Sequence, residues 1–212
     1  MSATKSNGGR KPAVKRAPRR MSRGARREHL VDVALPLVAE QGLSGFSLEE
    51  VADRAEVTRN LLYHYFPRGR EDIIAAVAER AGHEMTDGCV TDDSIPLAER
   101  QAVNFVRFFD HSKDPSDAWR VYRLARASTD TELHAIIDQY QEVIVRGIAQ
   151  NNLGMTDPPP LARMAIKAAL AFGETMLDEA RGSDVPREKV LQVIAQTILQ
   201  AMETIRATLP ES

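Results

Sequence analysis

Cysteine is nearly absent from this 212-residue chain, which contains only Cys89. A single cysteine excludes an internal disulfide framework and a cysteine-based zinc site. No run of 18 or more apolar residues occurs, so the sequence predicts no membrane span. The basic N-terminus lacks the apolar segment of a secretory signal. Together these absences favour a cytoplasmic location.

The usual signatures of catalysis and metal binding are missing as well. The five histidines are scattered singly, and there is no His-Glu-x-x-His pair, no Cys-x-x-Cys pair and no glycine-rich phosphate loop. The adjacent carboxylates Glu49-Glu50 and Asp92-Asp93 have no basic catalytic partner nearby in the sequence. We therefore predict no catalytic residue, no metal site and no cofactor, and we expect that the chain is not an enzyme.

Strand signals are absent too, because apolar and polar residues do not alternate in any segment. Apolar residues instead recur at spacings of three and four from Arg26 onward, which is typical of amphipathic helices. Long helical patterns cover roughly 95–111, 115–128, 130–151, 160–181 and 186–208. The predicted fold class is all-α, with about nine helices.

Positive charge is concentrated at the N-terminus. Residues 1–27 contain ten lysines and arginines and no acid, whereas the rest of the chain has 18 basic residues against 30 acidic ones. Residues 1–23 are also poor in large apolar groups, which predicts a disordered basic arm. Such an arm on an acidic body suggests a polyanionic partner, although a solvated tail that only aids solubility is an alternative.

Residues 47–66 have the pattern of a helix-turn-helix. Ser47 and Thr58 are predicted to cap two short helices, and Glu50 stands at the capping-box spacing from Ser47. Glu56 occupies the turn position where glycine is usual; if its backbone is left-handed, the cost is about 1 kcal/mol. Apolar residues fall where the two helices must pack against each other.

The second of these helices, residues 59–65, carries an unusual group of side chains. Its first residues, Arg59 and Asn60, can donate bidentately to guanine and bond adenine, respectively. Tyr63 and His64 share the same outer side by the three- and four-residue rule. Leu62, Tyr65 and Phe66 are predicted to face the body. A helix in the DNA major groove needs this arrangement, whereas a plain aromatic core patch would not explain the polar residues.

The segment REHLVDVALPLVAEQGLSGFSLEEVADRAEVTRNLLYHYFPRGREDIIAAV resembles the DNA-binding domain of TetR-family transcriptional regulators. The resemblance covers about residues 26–80. It implies a two-domain, all-α homodimer that binds a palindromic operator in double-stranded DNA and is released by a small molecule. The implied domains are an arm at 1–23, a helix-turn-helix domain at 24–84, and an effector-binding and dimerisation domain at 85–212.

Carried over by position, the resemblance implies a set of DNA contacts. Ser47, Thr58, Arg59, Asn60, Tyr63 and His64 are expected to contact DNA, and the basic residue opening the fourth helix corresponds best to Arg70. The connector Pro67–Arg70 is one residue longer than the common version, so Arg68 could share or take that role. Within the arm and just after it, Arg23, Arg26 and Arg27 are candidates for minor-groove or phosphate contacts.

Two further groups of functional residues are predicted in the C-terminal half, from helical periodicity and from what is typical of the family it resembles. The first is an effector pocket, although most of these residues could equally be core: Phe105, Phe109, Trp119, Tyr122, Tyr140, Phe172 and Met176. The second is a dimer interface on the last two helices, whose apolar stripes are too wide for one neighbour: Leu161, Ala165, Ala168, Phe172, Ile194, Ile198, Met202 and Ile205. A fully buried helix in a monomer is the alternative for the second set.

The function expected from these features is a sequence-specific DNA-binding transcriptional regulator, most simply a repressor that a small-molecule effector releases from operator DNA. Two alternatives remain open. One is a helical ligand-carrier or interaction protein whose helix-turn-helix no longer reads sequence. The other is a nonspecific, basic-armed DNA-binding protein. We also expect that deleting residues 1–22 weakens DNA binding at low salt and flattens its salt dependence.

Overall fold

The computed structural model describes residues 21–87, 94–96, 99 and 116–208. Within these ranges the chain forms eight α-helices and no β-strand, which confirms the predicted all-α class. The first four helices are α1 (Arg23–Gln41), α2 (Leu48–Arg54), α3 (Arg59–Tyr65) and α4 (Arg70–Asp87). The other four are α5 (Asp117–Ala127), α6 (Thr131–Leu153), α7 (Pro160–Glu179) and α8 (Arg187–Thr208). The helix predicted over 95–111 lies outside the described residues.

The helix ends follow from local capping. Ser22 accepts a hydrogen bond from the backbone N–H of Ala25, and α1 consequently begins at Arg23, three residues before the predicted start. At the other end of α1, Gly42 has a φ of 80°, which glycine adopts without steric cost. Asp130 caps α6 with two hydrogen bonds to backbone N–H groups, and Pro160 occupies the first position of α7.

A first core cluster joins the helix-turn-helix to the beginning of the C-terminal half. It contains fully buried side chains of α1 to α4, including Leu37, Leu62 and Ile73, together with Val121 of α5 and Ile137 of α6. Helix α4 lies at its centre, because its apolar face packs against α1, α5 and α6. Because the core is closely packed, a shift of α5 or α6 would displace α4 as well. The N-terminus of α4 follows the end of α3 after four residues.

The closest approach in this cluster is between α4 and α6. Gly82 of α4 is buried, and a Cβ atom built on it would lie 2.1 Å from Cδ2 of Tyr140 in α6. The same tyrosine ring meets His83 edge-on, with the ring centroids 5.1 Å apart. The absence of a side chain at Gly82 thus allows the ring of Tyr140 to lie directly against the α4 backbone.

The C-terminal half has two further clusters. One is formed by α6, α7 and α8 around Val145, Ile166 and Met202, and the other by α7 and α8 around Leu177 and Ile194. None of the helices in the described parts of the chain is both long and apolar enough to cross a membrane.

Candidate nucleic-acid interface

The two helix starts of the helix-turn-helix are capped as predicted. The Ser47 hydroxyl accepts from the backbone N–H of Glu50 at 3.1 Å, and the Thr58 hydroxyl accepts from that of Leu61 at 3.3 Å. Both residues are exposed. The capping box is only half formed, since the Glu50 carboxylate accepts instead from Gln41 Nε2 at 2.9 Å and from Arg54 at 2.8 Å.

The turn between α2 and α3 is tight and left-handed. Glu56 has a φ of 54°, the only positive φ of a non-glycine residue among those described. The sequence pattern left open whether this position is left-handed, and the structure shows that it is. After the turn, the backbone N–H of Val57 donates to the carbonyl of Ala52 at 2.9 Å. These contacts fix the direction in which α3 leaves the turn.

Helix α3 separates its side chains between two faces. Leu62, with the capping residue Phe66, is fully buried, and Tyr65 packs partly buried against the same cluster. The opposite face is exposed, and it carries the predicted reading residues Arg59, Asn60, Tyr63 and His64. The crowding of ring side chains in this stretch therefore has two explanations, because Tyr65 and Phe66 pack inward while Tyr63 and His64 face outward.

Arg59 is held from two sides. One terminal nitrogen of its guanidinium donates to the carboxylate of Glu49 in α2, and the other donates to the Tyr63 hydroxyl at 3.3 Å. Both contacts raise the pKa of Arg59, the hydrogen bond to Tyr63 most strongly. Sequence reasoning missed Glu49, because nothing in the pattern indicates that the two side chains lie together across the turn.

The two candidate basic residues after α3 are both engaged in contacts within the chain. Arg68 donates to Asp72 at 2.6 Å and, through both terminal nitrogens, to Glu132 of α6. Arg70 is half-buried, lies over the Phe46 ring and donates to the Phe46 carbonyl, directly before Ser47. Arg70 thus ties the start of α4 to the start of α2, while Arg68 points away toward α6.

The arginines at the N-terminus occupy the first turns of α1. Arg23 is exposed, Arg26 is half-buried, and the guanidinium of Arg27 lies 5.4 Å from the centroid of the Phe66 ring. Arg27 is therefore next to the end of α3. Residues 1–20 of the predicted arm lie outside the described residues.

The predicted pocket residues divide between two clusters. Tyr122 is buried and stacks on the half-buried Trp119, and Tyr140 lies against α4. Phe172 and Met176 instead pack in the cluster of Leu177 and Ile194 between α7 and α8. The predicted members Phe105 and Phe109 lie outside the described residues.

Between α5 and α7 lies a group of ion pairs that the sequence pattern did not reveal. Arg126 donates to Glu174 at 2.6 Å, and Arg123 pairs with Asp178. Burial raises the pKa of Glu174 even though both arginines oppose the shift. These pairs tie α5, which packs on α4, to α7. Among the described residues, no group of three His, Cys, Asp or Glu side chains is placed to hold a metal ion.

The predicted interface residues on α7 and α8 differ in exposure. Ile194, Met202 and Ile205 are buried inside the chain, because α6 and α7 cover them. Leu161 and Ala168 are exposed, and the remaining three are partly exposed: Ala165, Phe172 and Ile198. Met164 of α7 and Leu199 of α8 are also exposed. An open groove of about 690 Å³ runs between the two helices, lined by Leu161, Ala165, Ala201 and polar residues of α8.

Comparison with known proteins agrees with this geometry. Residues 30–82 match the family model described as bacterial regulatory proteins, tetR family. A 53-residue segment is 42% identical to the HTH-type transcriptional regulator AcrR of Shigella flexneri. That match covers 25% of this chain and 24% of the relative, so it spans about a quarter of the relative's length.

Solved structures match over nearly the whole chain. A tetR-family transcriptional regulator from Streptomyces coelicolor has a TM-score of 0.67 at 23% identity, covering 91% of this chain and 93% of the other. The multidrug binding protein EbrR, in complex with ethidium, has a TM-score of 0.61 at 16% identity, covering 83% and 98%. Such likeness shows the shared fold, an N-terminal helix-turn-helix followed by a larger helical domain. The family match over residues 30–82 thus shows that the segment containing most of α1 to α4 resembles the DNA-binding part of tetR-family regulatory proteins.

Proposed function

We propose that the protein is a sequence-specific DNA-binding transcriptional regulator, most simply a repressor, and that it reads DNA with the exposed face of α3. The observation that carries the proposal is the division of this seven-residue helix. Four side chains able to bond bases or phosphates are exposed, while Leu62 and Phe66 anchor the other face in the core. The match of residues 30–82 to bacterial regulatory proteins of the tetR family supports this assignment over an enzyme.

The contacts in the proposed complex divide into base reading and positioning. Arg59 and Asn60 would bond base edges, and Tyr63 and His64 would contact bases, sugars or phosphates. Ser47 and Thr58, at helix starts with free backbone N–H groups, would bind phosphates. The arginines at the start of α1 would follow the backbone. Arg68 and Arg70, both paired within the chain, would act mainly by orienting α2, α3 and α4.

Replacing the two base-reading residues tests the proposal. The double variant Arg59→Ala/Asn60→Ala should lose sequence preference by roughly a hundredfold, since each bidentate pair contributes about 1–3 kcal/mol of discrimination. The measurement is the ratio of two dissociation constants at fixed salt, one for a duplex obtained by site selection from genomic DNA with the wild-type protein and one for a random duplex. A matched control is Arg120→Ala/Gln139→Ala, which removes the same groups from exposed positions of α5 and α6. Undiminished preference in the Arg59→Ala/Asn60→Ala variant would contradict the proposal.

We further propose that the chain acts as a homodimer through α7 and α8. The exposed apolar residues Leu161, Met164 and Leu199 and the groove between the helices support a second copy here, and the pair would form a four-helix bundle about a two-fold axis. This proposed interface contains fewer residues than periodicity predicts, because Ile194, Met202 and Ile205 are buried within the chain. Two recognition helices must then lie about 34–36 Å apart to reach successive major grooves of a palindromic operator.

A small-molecule effector completes the proposal. EbrR, which shares the fold, is a multidrug binding protein seen with ethidium. In this chain the contact of Tyr140 with Gly82 supports a route from α6 to α4, so that an effector among α5, α6 and α7 could shift α4 and change the spacing of the recognition helices. The effector must bind the altered spacing more tightly, because equal affinity for both states would shift neither.

The alternative of a nonspecific, basic-armed DNA-binding protein makes the opposite prediction for the same measurement, namely equal affinity for all duplexes. A ligand carrier would bind no duplex appreciably at physiological salt. Site selection from genomic DNA with the purified full chain separates the three functions.

A further inference from the structure

We propose that Glu49 determines DNA sequence specificity by holding the guanidinium of Arg59 in one orientation. The inference rests on the proposed DNA-binding function and adds a positioning residue outside the recognition helix. Glu49 is the second residue of α2, and its contact with Arg59 crosses the turn of the helix-turn-helix.

The geometry restrains the arginine from two directions. Glu49 accepts from one terminal nitrogen, and the Tyr63 hydroxyl accepts from the other at 3.3 Å. The guanidinium carbon also lies 5.7 Å from the centroid of the Tyr63 ring. A guanidinium carries five N–H groups, so further donors remain for a guanine edge while the two contacts are kept. An arginine held in this way loses less side-chain entropy when it bonds a base.

The pair contributes little to folding, because the side chains of Glu49 and Arg59 are 56% and 54% exposed. Its charges matter more beside DNA. An unrestrained arginine can pair with any phosphate, which raises affinity without discriminating between sequences. The carboxylate of Glu49 opposes this, since it attracts the guanidinium and repels phosphates. Sequence preference therefore gains from Glu49 even though total affinity for DNA is lowered.

The neighbouring carboxylate provides a contrast. Glu50 stands one residue later in α2 but turns toward α1, where it accepts from Gln41 at 2.9 Å, and it also accepts from Arg54 at 2.8 Å. Replacing Glu50 changes the net charge by the same amount as replacing Glu49. Of the two glutamates, Glu49 contacts Arg59 and Glu50 contacts Gln41 and Arg54, so Glu50→Gln is a matched control.

The experiment compares the full-length wild type, Glu49→Gln and Glu50→Gln on a selected duplex and a random duplex of equal length, at several salt concentrations. For Glu49→Gln we expect the ratio of the two affinities to fall by about three- to tenfold, part of the discrimination that a bidentate arginine supplies. Affinity for the random duplex should rise, and its slope of log affinity against log salt should steepen by roughly 0.9, one added phosphate contact. Glu50→Gln should keep the wild-type ratio.

A second background shows whether Glu49 acts through Arg59. In Arg59→Ala protein, the further change Glu49→Gln should leave the affinity ratio unaltered, because the restrained group is gone. A ratio that still falls would mean that Glu49 contacts DNA itself, and an unaltered ratio in the single variant Glu49→Gln would mean that it plays no part in specificity. Either result overturns the inference while leaving the proposed function intact. A wild-type chain with no preferred duplex would overturn both.

Discussion

Arg68 donates two hydrogen bonds of 2.8 Å each to the carboxylate of Glu132, joining the connector after α3 to the first turn of α6. The same guanidinium donates to Asp72 in the first turn of α4. Both Arg68 and Glu132 are about half exposed, so the bridge contributes little to global stability. Its effect is positional, because it links the end of α3 to the part of the chain where we place the effector.

The bridge predicts a pH-dependent contribution from Glu132. The hydrogen bond from Arg68 holds the pKa of Glu132 below its ordinary value. The ionised carboxylate therefore stabilises the fold above about pH 4.5, and this contribution is lost as the pH falls through the lowered pKa. We expect Glu132→Gln to lower the free energy of unfolding slightly at pH 7 and to make a smaller difference at about pH 3, where more of the carboxylate is protonated. Urea unfolding of both proteins at the two pH values measures this.

A control for this experiment is Glu71→Gln. Glu71 stands 3.9 Å from Arg68 and is 73% exposed, so removing its charge should change little at either pH. An equal loss of stability for Glu132→Gln at both pH values would show that the carboxylate acts through something other than its charge.

The contact between Gly82 and Tyr140 predicts a clash when a methyl group is added. In Gly82→Ala the new Cβ would lie 2.1 Å from one ring atom of Tyr140 and 2.4 Å from Cγ, which the ring cannot relieve without shifting. The gain in helix propensity is at most about 1 kcal/mol. Overpacking outweighs it, and we expect a net loss of about 1–2 kcal/mol in unfolding free energy.

Thermal unfolding measures this loss, with Gly24→Ala as the control. Gly24 is also helical, but no atom lies within 4 Å of a Cβ placed there, so its substitution should not destabilise. If both variants melt like the wild type, the packing of α6 against α4 is looser than this contact implies.

Features set by neighbouring residues were predictable from the sequence. The bounds of α3, the caps Ser47 and Thr58 and the left-handed turn at Glu56 each depend on a few consecutive residues. The inward position of Leu62 and Phe66 followed from helical spacing alone. These local signals were enough to predict the fold class and which face of α3 is exposed.

Contacts between distant elements could not be predicted in the same way. The pairs Arg68–Glu132 and Arg126–Glu174 join residues 64 and 48 positions apart, and their formation depends on how helices cross. Periodicity also shows how wide an apolar stripe is, but not what covers it. Ile194, Met202 and Ile205 are therefore expected at a dimer interface from the pattern, although α6 and α7 bury them within the chain.

The left-handed turn predicts a stabilising substitution. Glu56 has a φ of 54°, a conformation that costs an L-residue roughly 1–2 kcal/mol and glycine almost nothing. Glycine loses more entropy on folding, so we expect Glu56→Gly to raise the unfolding free energy by about 1 kcal/mol. Chemical denaturation compares it with Glu56→Ala, which removes the same carboxylate and keeps the strain. Equal stability of the two variants would rule out backbone strain as the cause.

The last prediction concerns the basic N-terminus. Ser22 caps α1, so a deletion that ends at residue 22 would remove the cap with the charges, and a deletion of residues 1–20 is the cleaner variant. Those twenty residues carry seven lysines and arginines. If they neutralise phosphates, their removal should weaken binding at low salt and flatten the slope of log affinity against log salt by as much as roughly 6, at about 0.9 per phosphate. The preference for the selected duplex should change little, because phosphate contacts carry no sequence information. A full-length variant with these seven residues changed to glutamine should behave like the deletion, since charge and not length is responsible. A slope that stays at the wild-type value in both variants would assign the arm to solubility instead of DNA binding.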